Sequence, residues 1–316
     1  MNMNTTTNTT YMTDSKPNIM TVPPNDPTCE RLIIDFHTHT FPDSLARRAV
    51  LKLSQAASLK NYLDGTLLDL KKSMQRSGIH YSVLLPVATK AEHYLSINSI
   101  AKEVNATSKY DHLISFGSLH PDNANYKEII DDLADYQVPG IKLQPINQLK
   151  NIDDISYLRI IDYAVSMGLY VLIHAGYDIS SPGAEFSTVA KLKNVVNTIH
   201  SEKIILAHMG GINEWDLVEE WIIGKDVCLD TSFVLTPLRH ISQNGNVTFK
   251  EDGPLPMEQF IRMVRNHGVN RILFGSDSPW SDQGESLKAI LKSPLTEEEK
   301  TAILGENAKH ILTEWL

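Results

Sequence analysis

The sequence lacks several features that mark whole classes of protein. Its 316 residues include two cysteines, Cys29 and Cys228, so neither a disulfide framework nor a zinc finger is expected. No apolar run reaches transmembrane length, and the formal net charge of −9 is spread without a block of like charges. These absences argue against a membrane or a nucleic acid as partner, and a reducing cytoplasmic location is the expectation.

The N-terminal segment differs in composition from the rest of the chain. Residues 1–28 are rich in Asn and Thr, and they contain neither an apolar run nor a basic start. Such a segment cannot bury enough apolar surface to offset the entropy of ordering, and it does not have the pattern of a signal peptide. We therefore predict a disordered tail over residues 1–28 and one catalytic domain over residues 29–316.

Short apolar segments alternate with helical patterns along the domain. Eight such segments are recognisable, at residues 31–40, 81–89, 112–122, 139–145, 169–176, 203–211, 226–232 and 271–280. Runs rich in Val, Ile and Leu are typical of strands buried on both faces, and regular alternation with helices indicates a parallel sheet. Eight units predict an α/β fold, a (β/α)₈ TIM barrel. The rival, a doubly wound open sheet, is disfavoured because no Gly-x-Gly-x-x-Gly follows the first strand.

The ends of these strands carry residues of metal-binding and acid–base type. In a barrel the chemistry lies at the C-terminal ends of the strands, where this chain has His37, His39, Lys142, His174, His208, Asp230 and Asp277. Strand parity groups His174 with Leu172 and His208 with Leu206, which predicts apolar layers below a ring of polar residues. Several nitrogen and oxygen donors around one point, with a position left open, describe a catalytic metal site.

The motifs also match a known family in order. The set IDFHTH, GIKLQP, LIHAG, AHMGG and FGSDSPW, with LGENAKHIL near the C-terminus, resembles the amidohydrolase superfamily. More narrowly it resembles the amidohydrolase-related TIM-barrel group of metal-dependent hydrolases, which also contains aminocarboxymuconate-semialdehyde and γ-resorcylate decarboxylases. The resemblance covers residues 31–316 and implies a metal-dependent enzyme that acts on a small molecule.

The resemblance also implies roles for individual residues. His37, His39, His174 and Asp277 would bind one divalent metal ion, zinc by preference and manganese otherwise. His208 would act as base or acid, and Asp277 would share the handling of protons. Some superfamily members carry a carboxylated lysine on the fourth strand that bridges two metals, so Lys142 keeps a two-metal site open, although one metal is the commoner pattern in this group.

Contacts to the substrate are predicted from residue type and position. Arg47 and Arg239, like Lys142, are expected to reach a substrate carboxylate, and Trp280 to stack on a planar group. The long connection over residues 233–256 is expected to be a lid over the site. A homodimer is an open expectation, because barrels of this kind often dimerise.

Two reactions fit this set of residues. The main prediction is a hydrolase, in which water activated by the metal attacks an amide, lactone or ester of a small, carboxylated compound. The alternative is a metal-dependent non-oxidative decarboxylase of an aromatic or unsaturated acid. A decarboxylase would be favoured by a fixed cation in the pocket, such as Arg47 or Arg239.

Overall fold

The structure is a computed structural model that describes residues 31–241, 247–249 and 255–316, with the backbone alone described for residues 247–249. The predicted tail over residues 1–28 lies outside the described residues. So does much of the predicted lid, at residues 242–246 and 250–254.

All eight predicted strands are present, and the third is divided in two at Phe116. The strands are β1 (Ile34–Thr38), β2 (Tyr81–Leu84), β3 (Leu113–Ser115), β4 (Gly117–Ser118), β5 (Gly140–Leu143), β6 (Tyr170–Ile173), β7 (Ile204–Leu206), β8 (Cys228–Asp230), β9 (Arg239–Ile241), β10 (Val247–Phe249) and β11 (Ile272–Leu273). Of these, β9 and β10 form an antiparallel hairpin that the sequence did not predict.

The remaining strands pair in parallel in the order of the chain. One run joins β1, β2 and β3, and another joins β4 to β8 and then β11. The first and last strands meet as well, because the Phe36 N–H donates to the Phe274 carbonyl at 2.8 Å and Thr38 bridges to Ser278 in parallel. With the relatives described below, this topology confirms the predicted (β/α)₈ TIM barrel.

Helices fill the connections between strands. They are α1 (Ala46–Ala57), α2 (Leu67–Ser77), α3 (Tyr94–Ala106), α4 (Ser108–Asp111), α5 (Tyr126–Asp135), α6 (Pro145–Gln148), α7 (Ile155–Ser166), α8 (Val189–Thr198), α9 (Trp215–Trp221), α10 (Met257–His267), α11 (Gln283–Lys292), α12 (Glu297–Thr301) and α13 (Asn307–Leu312). A π-helical turn, Ala302–Glu306, joins α12 to α13. None of the helices built from the described residues is long and apolar enough to cross a membrane.

Local sequence explains where the helices begin and end. At the start of α2 the Thr66 side chain accepts a hydrogen bond from the Asp69 N–H, which satisfies one of the free amides of the first turn. The same helix stops at Gly78, whose φ of 69° is accessible to glycine at little cost.

Two apolar layers hold the barrel together. A smaller cluster contains Ile34, Phe36 and Leu172 from the strands and is joined by Ala308 and Leu312 of α13. The larger cluster packs the other strand faces, such as Ile173 and Leu206, against the surrounding helices. Truncating one of these fully buried side chains to Ala costs about 2–5 kcal/mol, so the strand ends rest on a rigid support.

Candidate metal centre and active site

The closure of the barrel brings three predicted ligands together. The Asp277 N–H donates to the His37 carbonyl at 2.8 Å, and the His39 N–H donates to the Ser278 carbonyl at 2.7 Å. These backbone bonds fix the end of β1 against the segment after β11. Among the described residues, His37, His39 and Asp277 form a group that could hold a metal, with their donor atoms within 4.8 Å of one another.

The distances within this group are short. The His37 and His39 Nε2 atoms lie 3.2 Å apart, and they lie 3.5 and 3.2 Å respectively from Oδ1 of Asp277. His37 and Asp277 are buried, and the His39 side chain is 17% exposed. Three donors therefore converge on one side of the rim.

Hydrogen bonds behind the two imidazoles determine which nitrogen carries the proton. His39 Nδ1 lies 2.8 Å from the Leu85 carbonyl, and His37 Nδ1 lies 2.7 Å from Oδ2 of Asp230. Both partners accept, so each Nδ1 carries the hydrogen and each Nε2 presents a lone pair. The lone pairs of two imidazoles and a carboxylate oxygen then face one another, with no hydrogen atom between them to form a hydrogen bond. A divalent cation satisfies this arrangement, so the residues fit the metal that the sequence predicts.

The protonation states agree with this assignment. Burial lowers the pKa of His37 to about 4, so its imidazole is neutral near pH 7. Burial works to raise the pKa of the Asp277 carboxyl, but the net shift holds that pKa well below its usual range. A neutral imidazole at His37 and an ionised carboxylate at Asp277 are the forms in which such groups bind metal.

His174 lies next to His208 and outside the group of three. His208 Nδ1 lies 3.0 Å from the Ser232 carbonyl and therefore carries the hydrogen, which leaves His208 Nε2 to accept from His174 Nδ1 at 3.1 Å. The Nε2 lone pair of His174 is buried without a hydrogen-bond partner among the described residues, and Oδ2 of Asp178 lies 3.9 Å away. An unpartnered lone pair at the rim is consistent with the predicted role of a fourth ligand.

Asp230 and Ser232 connect the two pairs of histidines. The Asp230 carboxylate accepts from His37 Nδ1, from the backbone N–H groups of His208 and Ser232 at 2.9 and 3.0 Å, and from Ser232 Oγ at 2.5 Å. Burial opposes ionisation of Asp230, but His37 and these donors lower its pKa well below its usual range. The sequence marked Asp230 only by its position at a strand end and gave it no role.

A second buried carboxylate, Asp35, supports the chain at the closure point. It accepts from the Ser276 N–H at 2.9 Å, from Ser276 Oγ at 2.5 Å and from Gln283 Nε2 at 2.8 Å. Burial raises its pKa to about 6 against these lowering contacts. Asp35 therefore holds the segment that carries Asp277 and does not belong to the group of donors.

Lys142 of β5 is fully buried, and its Nζ has no hydrogen-bond partner among the described residues. Burial lowers the pKa of the amine to about 8, against the raising effect of Asp230, Asp277 and Asp178. Lys142 is not one of the residues that line the cavity next to the donor group, and its contact with a substrate carboxylate stays a prediction.

The two arginines lie elsewhere, which corrects the expectation that they reach into the pocket. The Arg47 side chain is 84% exposed and pairs with Asp64 at 3.3 Å. Arg239 pairs with Glu285 at 2.8 Å and lies over the Tyr62 ring. An exposed guanidinium gains more from water and a nearby carboxylate than from a largely apolar wall.

A cavity of about 560 Å³ opens onto the donor group. Its wall contains five histidines, the four of the site and His93, together with Asp277 and the predicted Trp280. The rest is mainly apolar, with Phe41, Leu45, Leu53, Leu59, Leu85, Val87, Ile97, Ile179, Ile212 and Phe233. Asp178, Gln144 and Asn147 add polar groups. No Arg or Lys is among the described residues of this wall. A second cavity, of about 320 Å³, shares Tyr177, Ile179, Ile212 and Phe233 with it.

A family model described as amidohydrolase matches residues 34–313 of the chain. No curated protein matches the sequence significantly.

Several solved structures share the fold at low identity. The 5-carboxyvanillate decarboxylase of Sphingomonas paucimobilis is 14% identical, with a TM-score of 0.60 over 89% of this chain and 99% of its own. A dihydroxybenzoic acid decarboxylase of Polaromonas, with bound manganese and 2-nitroresorcinol, is 15% identical, with a TM-score of 0.60 over 90% of this chain and 97% of its own. A probable 2-pyrone-4,6-dicarboxylic acid hydrolase of Acinetobacter baumannii is 15% identical, with a TM-score of 0.57 over 89% of this chain and 99% of its own. Both reaction types predicted from the sequence thus occur on this fold.

Proposed function

This chain belongs to the amidohydrolase family, a family of metal-dependent enzymes, and from that premise we propose that it is a non-oxidative decarboxylase of a small carboxylic acid with an apolar, planar body. The observation that carries the proposal is the set of unpartnered lone pairs at the inner end of a mainly apolar cavity. Such a wall suits an aromatic or unsaturated body, and the inner end suits the carboxylate.

The donor set assigns the metal to named residues. His37, His39 and Asp277 would hold one divalent cation, zinc or manganese, and His174 would add its buried Nε2 lone pair. When bound, the cation supplies Lewis acidity to the oxygens of the acid. Manganese in the dihydroxybenzoic acid decarboxylase of this fold supports including it beside zinc.

The protein's own groups orient the substrate and move a proton. The apolar wall excludes water from the body of the substrate, and Trp280 offers a flat surface for stacking. In the reaction the bond between the carboxyl carbon and its carrier carbon breaks, the electron pair stays on the carrier carbon, and CO₂ leaves. We assign delivery of the proton to that carbon to His208, whose ring lines the cavity beside His174.

A second candidate is hydrolysis of a lactone, ester or amide. One observation favours it: no described residue of the cavity wall is Arg or Lys, so a free carboxylate would depend on the metal centre alone. In that reaction a water oxygen bonds to the carbonyl carbon, and the proton that it loses passes through Asp277 or His208 to the leaving group. The likeness in fold to a probable pyrone hydrolase also supports this candidate.

Reaction in D₂O separates the two candidates. The metal-depleted protein is reloaded with zinc or manganese and incubated with hydroxybenzoic acids and with aryl lactones and esters, and products are followed by proton NMR and CO₂ release. A decarboxylase places deuterium on the carbon that loses CO₂, whereas hydrolysis leaves the carbon–carbon bonds intact. The exposed His200→Ala variant should behave as wild type, and His37→Ala should be inactive. Hydrolysis without CO₂ release would replace the main proposal with the second.

A further inference from the structure

One carboxylate of the cavity wall has no part in the donor group. Asp178 follows β6 at the rim, and its side chain is 13% exposed and lines the main cavity. Its Oδ1 accepts from the Ser180 N–H at 2.8 Å and from Ser180 Oγ at 2.6 Å, and these bonds hold the side chain in one orientation.

The other oxygen of Asp178 has capacity to spare. Oδ2 accepts one long hydrogen bond, from Gln144 Nε2 at 3.3 Å, and lies 3.9 Å from His174 Nε2, beyond hydrogen-bond distance. A carboxylate oxygen accepts two or more hydrogen bonds when donors are present. An under-used acceptor in a mainly apolar wall therefore favours a substrate that carries its own hydrogen-bond donor.

The charges around the cavity point the same way. The described wall contains no Arg or Lys, and its two carboxylates are Asp277 and Asp178. The cation at the donor group would offset Asp277. Asp178 then remains a negative group in the wall, and a second anion on the substrate would approach it without a compensating Arg or Lys from the described wall.

We propose that Asp178 determines substrate specificity by selecting acids that carry a hydroxyl or amino donor on their body and by rejecting those with a second carboxylate. The inference rests on the proposed function, because it assumes that the metal centre holds the one carboxylate. A substrate with a hydroxyl or amino group gains a hydrogen bond to Oδ2 of Asp178. A substrate without such a group leaves that oxygen under-used, and a substrate with a second carboxylate is repelled by it.

Equilibrium binding tests this selection without any need for turnover. The metal-loaded protein is titrated with benzoate, with 3- and 4-hydroxybenzoate, and with the dicarboxylates isophthalate and terephthalate, and quenching of tryptophan fluorescence is followed, since Trp280 lines the cavity. For wild type we expect the better hydroxybenzoate to bind about tenfold more tightly than benzoate, and both dicarboxylates about tenfold more weakly.

Two variants isolate the carboxylate. Asp178→Asn keeps the shape and an oxygen for Ser180 but removes the charge, and we expect it to bring the dicarboxylates to within about threefold of benzoate. Asp226→Asn, at an exposed carboxylate that is paired with Arg271 and does not line the cavity, should keep the wild-type ranking. The same ranking in Asp178→Asn as in wild type would overturn the inference.

Failure of the proposed function gives a different result. If the ranking and its loss in Asp178→Asn are observed but no acid releases CO₂, the specificity role stands and the decarboxylase assignment falls. If none of the acids binds to the metal-loaded wild type, both fall together.

Discussion

At the scale of single residues, His37 and His39 owe their orientation to the acceptors behind them. Asp230 and the Leu85 carbonyl bind the two Nδ1 atoms, and the Nε2 lone pairs are thereby turned toward Asp277. The acceptors determine the tautomer as well as the direction of each ring. We therefore expect residues that would not touch the metal to contribute to its affinity.

Asp230→Asn tests this contribution. Asp230 accepts through both oxygens, whereas asparagine has one acceptor oxygen and no charge, so we expect the affinity for zinc to fall about 10–100-fold with the fold retained. The measurement is competition with a fluorescent chelator, with circular dichroism as the check on folding. Asp226→Asn, at an exposed carboxylate paired with Arg271, is the matched control and should bind metal as wild type does. Equal affinity in the two variants would contradict the assignment.

The two neighbouring histidines should respond differently to truncation. His174→Ala removes a predicted ligand, so bound metal and activity should both fall. His208→Ala should keep most of the metal and lose about 100-fold or more in rate, as expected for loss of a proton-transfer group. Metal content by inductively coupled plasma mass spectrometry, measured beside the rate, separates the roles. Parallel loss of metal and rate in His208→Ala would instead make His208 a ligand.

At the scale of secondary-structure elements, α10 ends on a buried histidine that has no part in the site. His267 lies 2.8 Å from the Val227 carbonyl through Nε2 and accepts from the Gly224 N–H through Nδ1 at 3.2 Å. The Gly224 contact requires the neutral ring, because protonation would place an N–H at Nδ1 against the Gly224 donor, whereas Nε2–H can donate to the Val227 carbonyl in either state. Burial lowers the pKa of His267 to about 4.

This histidine makes the stability depend on pH. Its ring binds protons more weakly in the folded chain than in the unfolded chain, where the pKa is 6.5, so stability is full above pH 6.5 and is lost as pH falls toward 4. Between pH 7 and pH 5 we expect His267 to cost about 2 kcal/mol of unfolding free energy. Urea unfolding of wild type and His267→Gln at both pH values measures the difference, since other buried groups titrate in both proteins. An unchanged pH dependence in His267→Gln would refute the role, and His200→Gln serves as the exposed control.

The elements also show where sequence reasoning succeeds and where it stops. Helical periodicity indicated that helices such as α5 and α10 lie between the strands, because an amphipathic pattern is set by burial of one face. Strand parity correctly grouped His174 with a side chain of the smaller apolar cluster, Leu172. The same grouping was wrong for His208, because Leu206 packs in the larger cluster against the helices. His208 reaches the site because the chain turns there, with φ of 58° at His208 and 52° at Met209.

Side-chain contacts made across long sequence separations could not be predicted in the same way. The link from Asp230 to His37 joins positions 193 residues apart, and no local pattern encodes it. The placement of Arg47 beside Asp64 likewise depends on which carboxylate the fold brings near. Residue types at strand ends therefore indicated the kind of site, while the assignment of individual roles needed the packed structure.

At the scale of the whole molecule, a metal should stabilise the entire barrel. The donor group joins the end of β1 to the segment after β11, so an ion bound there favours the folded chain over the unfolded chain. Free metal at 100 times its dissociation constant should add about 2.7 kcal/mol to the unfolding free energy. Thermal unfolding of metal-depleted and zinc-loaded protein should show a rise of several degrees, and Asp277→Ala should abolish it. A rise of equal size in Asp277→Ala would locate the stabilising ion elsewhere.

The closure of the barrel, where β1 contacts the segment after β11, also sets an order of events during biosynthesis. Asp35 and Ser276, which form this closure, are 241 positions apart, and a ribosome adds about 5–20 residues per second. His37 and His39 therefore emerge many seconds before Asp277 and before the strand that closes the barrel against them. A nascent chain has two of the three donors early but cannot assemble the centre until its last strand is made. Metal uptake is then a late step in the maturation of this protein, and a chain truncated before residue 277 should leave the ribosome unable to form the site.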